Sequence, residues 1–272
     1  MFKRRPAPGA NAPTPPPPST KGRLVYAVGD VHGRRDLLDG LLTAILQDVI
    51  ARPGDGGTRP VLLFIGDLID RGPNSREVVD AVLELRAHRA LEVRVLKGNH
   101  EQLALEFLRD PQDGVAWLDL GGRQTLASYG VPLGPIDRLA ETRDAFEAAL
   151  GPAHLHLLRS MELYVEIGDY VFVHAGLRPG VAMHAQQERD LLWIREPFLT
   201  AEAQRFDRVV VHGHTPGEVR LSGQRICIDS GAYYSGSLTC LRLEGETQRL
   251  ITYAQKRKSL RRRLTPRSTP ID

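Results

Sequence analysis

Residues 91–108 read LEVRVLKGNHEQLALEFL and join two different structural patterns. The first residues form a β-branched run that is typical of a buried strand, and the last show the apolar spacing of a helix. Between them stand the amide of Asn99, the imidazole of His100 and the carboxylate of Glu101. Helix capping alone would explain such a turn, because Asn99 is a favourable N-cap residue and Glu101 suits a first helical turn. The repetition of this arrangement along the chain favours a functional site.

Four further apolar runs end in a polar cluster of the same kind. Each cluster contains glycine, which allows tight turns and close backbone approach. Ligands of open α/β sheets bind beyond the carboxyl ends of the strands, so we expect all five clusters to converge on one crevice. The clusters are YAVGDVHG with Asp30 and His32, FIGDLIDRG with Asp67, Asp70 and Arg71, VLKGNHE with Asn99 and His100, FVHAG with His174, and VVHGHTP with His212 and His214.

The order of the apolar segments predicts an α/β fold. Helices are expected at about residues 35–50 and 74–88, where apolar residues recur at three- and four-residue spacing. Strand–helix–strand units come first and strands joined by short turns follow, which indicates stacked mixed sheets with helices outside. Residues 109–160 are expected to form a mainly helical insertion beside the site. Seven strands are predicted, at RLVYAVGD, VLLFIGD, LEVRVLKGN, YVFVHAG, RVVVHGH, RICIDSG and SLTCLRL.

The composition indicates one large domain with two unusual ends. The chain has 272 residues, 42% of them hydrophobic, and no apolar run of the roughly 18 residues that a membrane helix needs. A Pro-rich arm at residues 1–22 and a basic tail at residues 256–272 are expected to be disordered on either side of a domain at residues 23–255. The N-terminus lacks the apolar segment of a secretory signal, and two cysteines are too few for a disulfide framework, so we expect a cytoplasmic location.

The net charge of +3 conceals an asymmetry between the ends and the domain. Residues 1–23 carry +5 and residues 256–272 carry +6, which leaves −8 for residues 24–255. A domain of this charge argues against specific nucleic-acid binding and against nuclease activity. The basic tail, in contrast, is suited to contact an acidic partner.

The residue types in the five clusters suit one kind of chemistry. Carboxylates, an amide oxygen and several imidazoles form a ligand set of borderline hardness, which suits Mn, Fe or Zn. Two such metals about 3.5–4 Å apart favour in-line displacement at phosphorus, because they activate water and neutralise charge on the phosphoryl oxygens. An arginine is the natural bidentate partner for the remaining oxygens. One cluster alone would be interpreted as a turn, whereas five at predicted strand ends indicate a shared site.

The motifs GDVHG, GDLIDRG, GNHE, HAG and GHTP, in this order, strongly resemble the phosphoprotein phosphatase family of the metallophosphoesterase superfamily. The resemblance covers roughly residues 23–255. It implies a four-layer α/β/β/α sandwich, in which two mixed sheets are flanked by helices, and a centre of two divalent metal ions. In bacterial members of the family the metal is commonly manganese, with iron or zinc as alternatives.

The resemblance also implies a set of metal ligands. The first metal would be held by Asp30 and His32, and Asp67 would bridge both metals. Asn99, His174 and His214 would hold the second metal. His212 lies two residues before His214, so on an extended strand the two share a face, and the sequence leaves open whether His212 is a ligand or a support for one.

Catalytic roles follow from the same resemblance. His100 would donate a proton to the leaving oxygen, and Asp70 would orient it and favour its protonated form. Arg71 would bind the phosphate, and Arg195 in LLWIRE is the candidate for a second phosphate-binding arginine. Tyr233 in DSGAYYSG is a candidate for the lining of the substrate pocket. Asn99 is also a candidate substrate contact.

These residues together predict a phosphatase. The expected reaction is phosphomonoester hydrolysis by direct attack of a metal-bridging hydroxide, with phosphoserine or phosphothreonine in proteins as the preferred substrate. A diadenosine tetraphosphate hydrolase is the nearest alternative, but those enzymes typically depart from DRG and carry GNHD, whereas this chain has DRG and GNHE. Small-molecule phosphoesters fit the same site. A non-catalytic phosphate-binding protein is disfavoured by the complete set of ligands, proton donor and arginine.

Overall fold

The computed structural model describes residues 17–51, 58–201, 206–219, 221 and 223–255. The basic tail and most of the Pro-rich arm lie outside these residues, so the expectation that they are disordered stays a prediction. Within the described ranges, no helix has the length and apolarity to cross a membrane. Both cysteines are free thiols, with Cys240 buried and Cys227 half-buried.

The described residues form strands and helices that alternate in the first half of the chain. The strands are β1 (Leu24–Val28), β2 (Val61–Phe64), β3 (Glu92–Val95), β4 (Tyr164–Ile167), β5 (Tyr170–Val173), β6 (Val209–His212), β7 (Arg225–Cys227), β8 (Ser237–Glu244) and β9 (Thr247–Ala254). The helices are α1 (Arg35–Ile50), α2 (Ser75–Ala87), α3 (Asn99–Arg109), α4 (Val115–Trp117), α5 (Arg123–Ser128), α6 (Leu139–Arg159), α7 (Glu188–Trp193) and α8 (Ala232–Ser235). A π-helical turn at Leu118–Gly122 joins α4 to α5, and 3₁₀ turns lie at Ile136–Arg138 and Met183–Ala185.

Two mixed sheets form the centre of the fold. The first has the order β3-β2-β1-β8-β9, with β1, β2 and β3 parallel and β8 antiparallel to both of its neighbours. The second has the order β4-β5-β6-β7, in which β5, β6 and β7 are parallel. All seven predicted strands and both predicted early helices are confirmed. The strands β4 and β9 escaped prediction because they are edge strands with exposed positions and lack a continuous apolar run.

The apolar core is divided by the two sheets into three clusters. One lies between the sheets and includes Leu63 of the first sheet and Phe172 of the second. The largest packs the long helices against the outer face of the first sheet. The third covers the outer face of the second sheet, where the cover comes from α7 and neighbouring short segments. The predicted four-layer order is confirmed, although the fourth layer is thin.

The last residues of the predicted arm pack against the domain. Thr20 is buried, its backbone N–H donates to Gly245 O at 3.0 Å, and its hydroxyl accepts from the N–H of Gly245. The backbone of Ser19 exchanges hydrogen bonds with Asp169. Residues of the stretch 17–22, which the composition assigns to the arm, therefore pack against the domain. Pro-rich composition does not reveal this, because the contacts are made mainly by backbone groups.

Candidate metal centre

Two groups of buried ligands share one carboxylate. The first group contains His32, Asp67 and His100, and the second contains Asp67, His174 and His214. Within each group the potential ligand atoms all lie within 4.8 Å of one another. Asp67 lies in the loop after β2, with Oδ2 3.5 Å from His32 Nε2 and Oδ1 3.5 Å from His174 Nε2, and so reaches both groups. This position is the one that a bridging carboxylate needs.

One histidine of each group is neutral and oriented by a backbone carbonyl. The Nδ1 atoms of His32 and His174 lie 3.0 and 2.9 Å from the carbonyl oxygens of Ile69 and Ile65, which can only accept a hydrogen bond. Each ring therefore carries its proton on Nδ1 and has its lone pair on Nε2, which is the form in which an imidazole binds a metal. Burial lowers the pKa of His32 to about 3 and lowers the pKa of His174, which keeps both rings in the neutral form.

Asn99 connects the two histidines of the second group. Its Oδ1 atom lies 2.9 Å from His174 Nε2 and 2.9 Å from His214 Nδ1. Burial lowers the pKa of His214 to about 3, so this ring is neutral as well. One amide oxygen between two imidazoles is a compact donor set of the borderline type that Mn, Fe and Zn accept.

Two buried atoms near these groups have no hydrogen-bond partner within the described part of the chain. They are Asp30 Oδ1 and His214 Nε2, one carboxylate oxygen and one imidazole nitrogen. Buried polar atoms are almost always paired, so both atoms require an explanation. A bound cation would satisfy each, and the donor chemistry therefore fits divalent metal ions. Asp30 also accepts a hydrogen bond from the backbone N–H of His214 at 3.0 Å, which joins the two sheets across the site.

His100 and Asp70 form a buried pair, here called the acid dyad. His100 Nδ1 donates to Asp70 Oδ2 at 2.7 Å. Burial by itself lowers the pKa of His100, but the charge of Asp67 and the hydrogen bond to Asp70 outweigh it and hold this pKa above its ordinary value. Arg71 places Nη2 2.9 Å from His100 Nε2 and Nη1 3.1 Å from His32 Nε2. The guanidinium of Arg71 therefore lies against the Nε2 edges of both the His32 and the His100 rings.

The backbone is strained where the side chains converge. Six non-glycine residues of the described ranges have a positive φ, and five of them are predicted site residues. Such conformations cost of order 1–3 kcal/mol each and persist only where the surroundings enforce them. The five are His32 (48°), Asp67 (51°), Asp70 (75°), Arg71 (66°) and His214 (64°).

Glu101 supports the loop that carries Asp67. Its buried carboxylate accepts hydrogen bonds from the backbone N–H groups of Gly98, Asp67 and Leu68 at 2.8, 2.9 and 2.7 Å. Burial, together with the charge of Asp67, raises the pKa of Glu101 to about 7. The sequence marks Glu101 only as a first-turn acid, and this wider role is visible only in the structure.

The prediction that Asn99 is an N-cap is wrong by one residue. Gly98 occupies the N-cap position and Asn99 is the first residue of α3. Gly98 is required there because a Cβ atom would lie 2.1 Å from Asp67 Oδ1. The shift leaves the Asn99 amide free to face the histidines.

Tyr233 and Arg195 lie at the rim of the site. The Tyr233 ring is 39% exposed, lies 5.5 Å from the His32 ring, and has the Arg71 guanidinium 4.8 Å from its centre. Arg195 is exposed, and its charge is a smaller cause of the low pKa of His214 than burial and the His174 ring. Tyr233 thus borders the cleft on the Arg71 side and Arg195 on the His214 side.

His212 is buried behind the ligand groups. Its Nδ1 lies 3.2 Å from Gly213 O, and its ring packs edge-on against Phe198 at 4.9 Å. It belongs to neither ligand group of the described residues. Its position fits a supporting role.

Sequence reasoning missed three buried polar residues around the site. Asp229 lies beside Asp30, and after burial its charge is the next cause of a raised Asp30 pKa. The DSG that follows RICI repeats the strand-end pattern, so this residue was detectable. Trp117 and Thr125 both donate to Asp70, but nothing in the local sequence marks them.

Comparison with known proteins gives the family. The family described as calcineurin-like phosphoesterase matches residues 24–251. The chain belongs to this family. The predicted resemblance is therefore confirmed, and the chain is a metallophosphoesterase with phosphatase chemistry that depends on divalent metals. The residue roles carried over from the resemblance stay predictions.

Two kinds of name recur among the similar proteins. Serine/threonine-protein phosphatase 1 of Salmonella typhimurium is 30% identical over 231 residues, 82% of this chain and 93% of that protein. The bis(5'-nucleosyl)-tetraphosphatase PrpE of Bacillus velezensis is 27% identical over 239 residues, 81% of this chain and 89% of that protein. A solved structure titled a putative diadenosine tetraphosphatase has a TM-score of 0.57 at 20% identity, covers 88% of this chain and 97% of its own, and shows the shared fold.

Proposed function

We propose that this protein is a metal-dependent phosphatase that hydrolyses phosphomonoesters, with phosphoserine and phosphothreonine in proteins as its preferred substrates. The observation that carries the proposal is the position of Arg71. Its guanidinium lies within 3.1 Å of two imidazole nitrogens. One is Nε2 of His32, a predicted metal ligand, and the other is Nε2 of His100, the predicted proton donor. A phosphate bound to this fork lies next to both the metal ligands and the proton donor.

The residues proposed to hold two divalent ions are those that the family resemblance implies, and His32, Asp67, His174 and His214 among them also belong to the two ligand groups. Asp30, His32 and Asp67 would hold one ion, and Asp67, Asn99, His174 and His214 the other. Manganese is the expected metal, with iron or zinc as alternatives, because the donors combine oxygen and imidazole nitrogen. When bound, two such ions supply an activated water and neutralise charge on the phosphoryl group.

The remaining steps belong to the side chains of the protein. Arg71 grips phosphoryl oxygens with two parallel N–H donors, which orients the phosphorus for in-line attack. His100 holds its Nδ1 proton on Asp70, so its Nε2 proton is the one that passes to the leaving oxygen. Against the effect of burial, the charge of Asp67 and the hydrogen bond to Asp70 raise the pKa of His100, which favours the protonated ring that this step requires. A serine or threonine alkoxide is a poor leaving group and requires such a donor.

The open shape of the groove beside the site supports the proposed substrate class. A groove of about 450 Å³ opens beside Arg71 and Tyr233 and is bordered by residues 118–124. An open groove accepts a phosphate presented on a protein surface. The intact DRG and GNHE motifs support the same choice.

Hydrolysis of dinucleoside tetraphosphates is the second candidate function. One observation favours it, namely the exposed ring of Tyr233 beside Arg71, since a nucleobase can stack on such a ring while the arginine binds phosphate. Several similar proteins, PrpE among them, are named for this activity.

A substrate panel separates the two functions. The protein is assayed after reconstitution with Mn, Fe or Zn on phosphoserine and phosphothreonine peptides, p-nitrophenyl phosphate, diadenosine tetraphosphate and a cyclic nucleotide. We expect the highest kcat/KM for the phosphopeptides. A higher kcat/KM for diadenosine tetraphosphate would replace the first function by the second. A cytoplasmic location and contact of the basic tail with an acidic partner are part of the same proposal.

A further inference from the structure

The carboxylate of Asp70 has more partners than an acid dyad requires. Asp70 is fully buried, and its Oδ2 accepts from His100 Nδ1 and from the indole Nε1–H of Trp117, both at 2.7 Å. Its Oδ1 accepts from the hydroxyl of Thr125 at 2.5 Å. The backbone N–H of Asp70 donates to Thr125 Oγ1 and to Ser75 Oγ, at 2.9 and 3.0 Å. Both oxygens of the carboxylate are therefore held by hydrogen bonds.

Two of these partners come from residues 115–128, here called the 115–128 segment. The segment contacts the strained loop directly, because the N–H of Arg71 lies 3.4 Å from Gly121 O. Gly121 has a φ of 127°, and a Cβ atom there would lie 2.6 Å from Arg71 N and 2.9 Å from Asp70 Cβ. No other residue type allows the segment to approach so closely.

Trp117 is held rigidly in this arrangement. Its ring is fully buried and packs against Phe107 of α3 and Phe146 of α6, with ring centres 5.2 and 5.4 Å away. A Cβ atom on Gly122 would lie 2.4 Å from the same ring. An indole that is locked on three sides presents its N–H in one direction only, toward Asp70.

We propose that Trp117 and Thr125 are positioning residues, which fix the Asp70 carboxylate and through it the proton-donating orientation of His100. The inference rests on the proposed function, since it assigns these residues to the acid of that reaction. Among the contacts of the described residues, neither Trp117 nor Thr125 is bonded to a predicted metal ligand, and both reach the site through Asp70. Charge-assisted hydrogen bonds of this kind are strong and geometrically specific, so the loss of one allows the carboxylate and the imidazole to turn.

The same segment also borders the groove beside Arg71. Leu118, Leu120 and Gln124 line the groove, while Trp117 and Thr125 face the acid dyad. A leaving group that binds in the groove therefore contacts the element that positions its own proton donor.

The test compares substrates that differ in their need for an acid. Thr125→Val removes the hydroxyl at nearly constant volume, and Thr125→Ser restores it. Thr142→Val is the matched control, because Thr142 is a buried threonine in the same insertion whose hydroxyl accepts only from the N–H of Gly134 among the described contacts. For each full-length, metal-loaded variant, kcat and KM are measured on a phosphoserine peptide and on p-nitrophenyl phosphate, whose leaving group needs little protonation.

We expect Thr125→Val to lower kcat about tenfold on the phosphopeptide, with a much smaller loss on p-nitrophenyl phosphate and an unchanged KM. Thr125→Ser should recover most of the loss, and Thr142→Val should retain the wild-type ratio between the two substrates. Equal losses on both substrates, or no recovery with serine, would overturn the inference.

A second measurement does not depend on activity. The chain has two tryptophans, and their indole N–H groups give two ¹⁵N-resolved NMR signals, which Trp117→Phe assigns. Trp193 donates to the neutral amide of Gln102 at 2.7 Å and serves as the internal control. We expect Asp70→Asn to move the Trp117 signal and leave that of Trp193 in place, and an unmoved Trp117 signal would refute the contact. If the wild type hydrolyses neither substrate, the proposed function fails. The Trp117 signal then still shows whether its indole N–H contacts Asp70.

Discussion

The loop after β2, residues 65–72, and the 115–128 segment meet at Asp70 but differ in what they contribute. The loop carries Asp67, Asp70 and Arg71, and all three have a positive φ. The segment carries no predicted catalytic or metal-binding group, yet it supplies two donors to Asp70 and the glycine contact to Arg71. The loop thus contributes predicted reactive groups, and its geometry is held in part by residues about fifty positions away.

Substitution of Asp67 in the loop is expected to give the largest loss of activity. This carboxylate is the only member common to the two ligand groups of the described residues, so Asp67→Asn should release both metals and reduce hydrolysis to background. Metal content is measured by mass spectrometry after dialysis, and the fold by circular dichroism. Asp144→Asn, an exposed aspartate on α6, is the control and should keep metal and activity. Two tightly held metals in Asp67→Asn would contradict the shared-ligand role.

His100 is expected to give the next largest effect. His100→Asn should lower kcat on a phosphoserine peptide about 10²–10⁴-fold, the usual contribution of a general acid, and clearly more than Thr125→Val. The loss should shrink on p-nitrophenyl phosphate. His156→Asn, at an exposed position on α6, is the control. A similar loss on both substrates would remove His100 from the acid role and would leave the 115–128 segment with nothing to position.

Arg71 tests whether the loop recognises a terminal phosphate. Arg71→Lys keeps the charge but loses the bidentate fork, so kcat/KM for p-nitrophenyl phosphate should fall about 10–100-fold with unchanged metal content. The diester bis-p-nitrophenyl phosphate has one oxygen already esterified, so its residual turnover should suffer less. Arg109→Lys, on the exposed end of α3, is the control. A larger loss for the diester would argue against a monoesterase.

Substitution of Glu101 is expected to act mainly on the stability of the fold. Glu101→Ala leaves the buried N–H groups of Gly98, Asp67 and Leu68 without their acceptor, and each such loss costs about 1–3 kcal/mol. We expect the free energy of unfolding, measured in urea, to fall by at least about 2 kcal/mol. Glu106→Ala on the same helix should change it by less than about 0.5 kcal/mol. A Glu101→Ala chain as stable as the wild type would mean that the loop holds its strained backbone without this support.

The two regions also mark what the sequence can and cannot predict. The predicted metal-binding and acid residues each follow an apolar strand in a short motif, so strand periodicity and residue type predicted both the sheets and the converging side chains. Trp117 and Thr125 lie in a helical region without a motif, and their role depends on the packing of α3 and α6 around them. Glu101 is an intermediate case, because the sequence marked its position as a first-turn acid but did not reveal its four backbone partners.

The central claim is that two metal ions share the carboxylate of Asp67, and manganese tests it most directly. The wild-type chain, freed of metal, is titrated with Mn²⁺ and followed by electron paramagnetic resonance. We predict two ions per chain and the broadened spectrum of a magnetically coupled pair, because ions that share one carboxylate interact. A single ion per chain, or two ions that give only isolated six-line signals, would contradict the account.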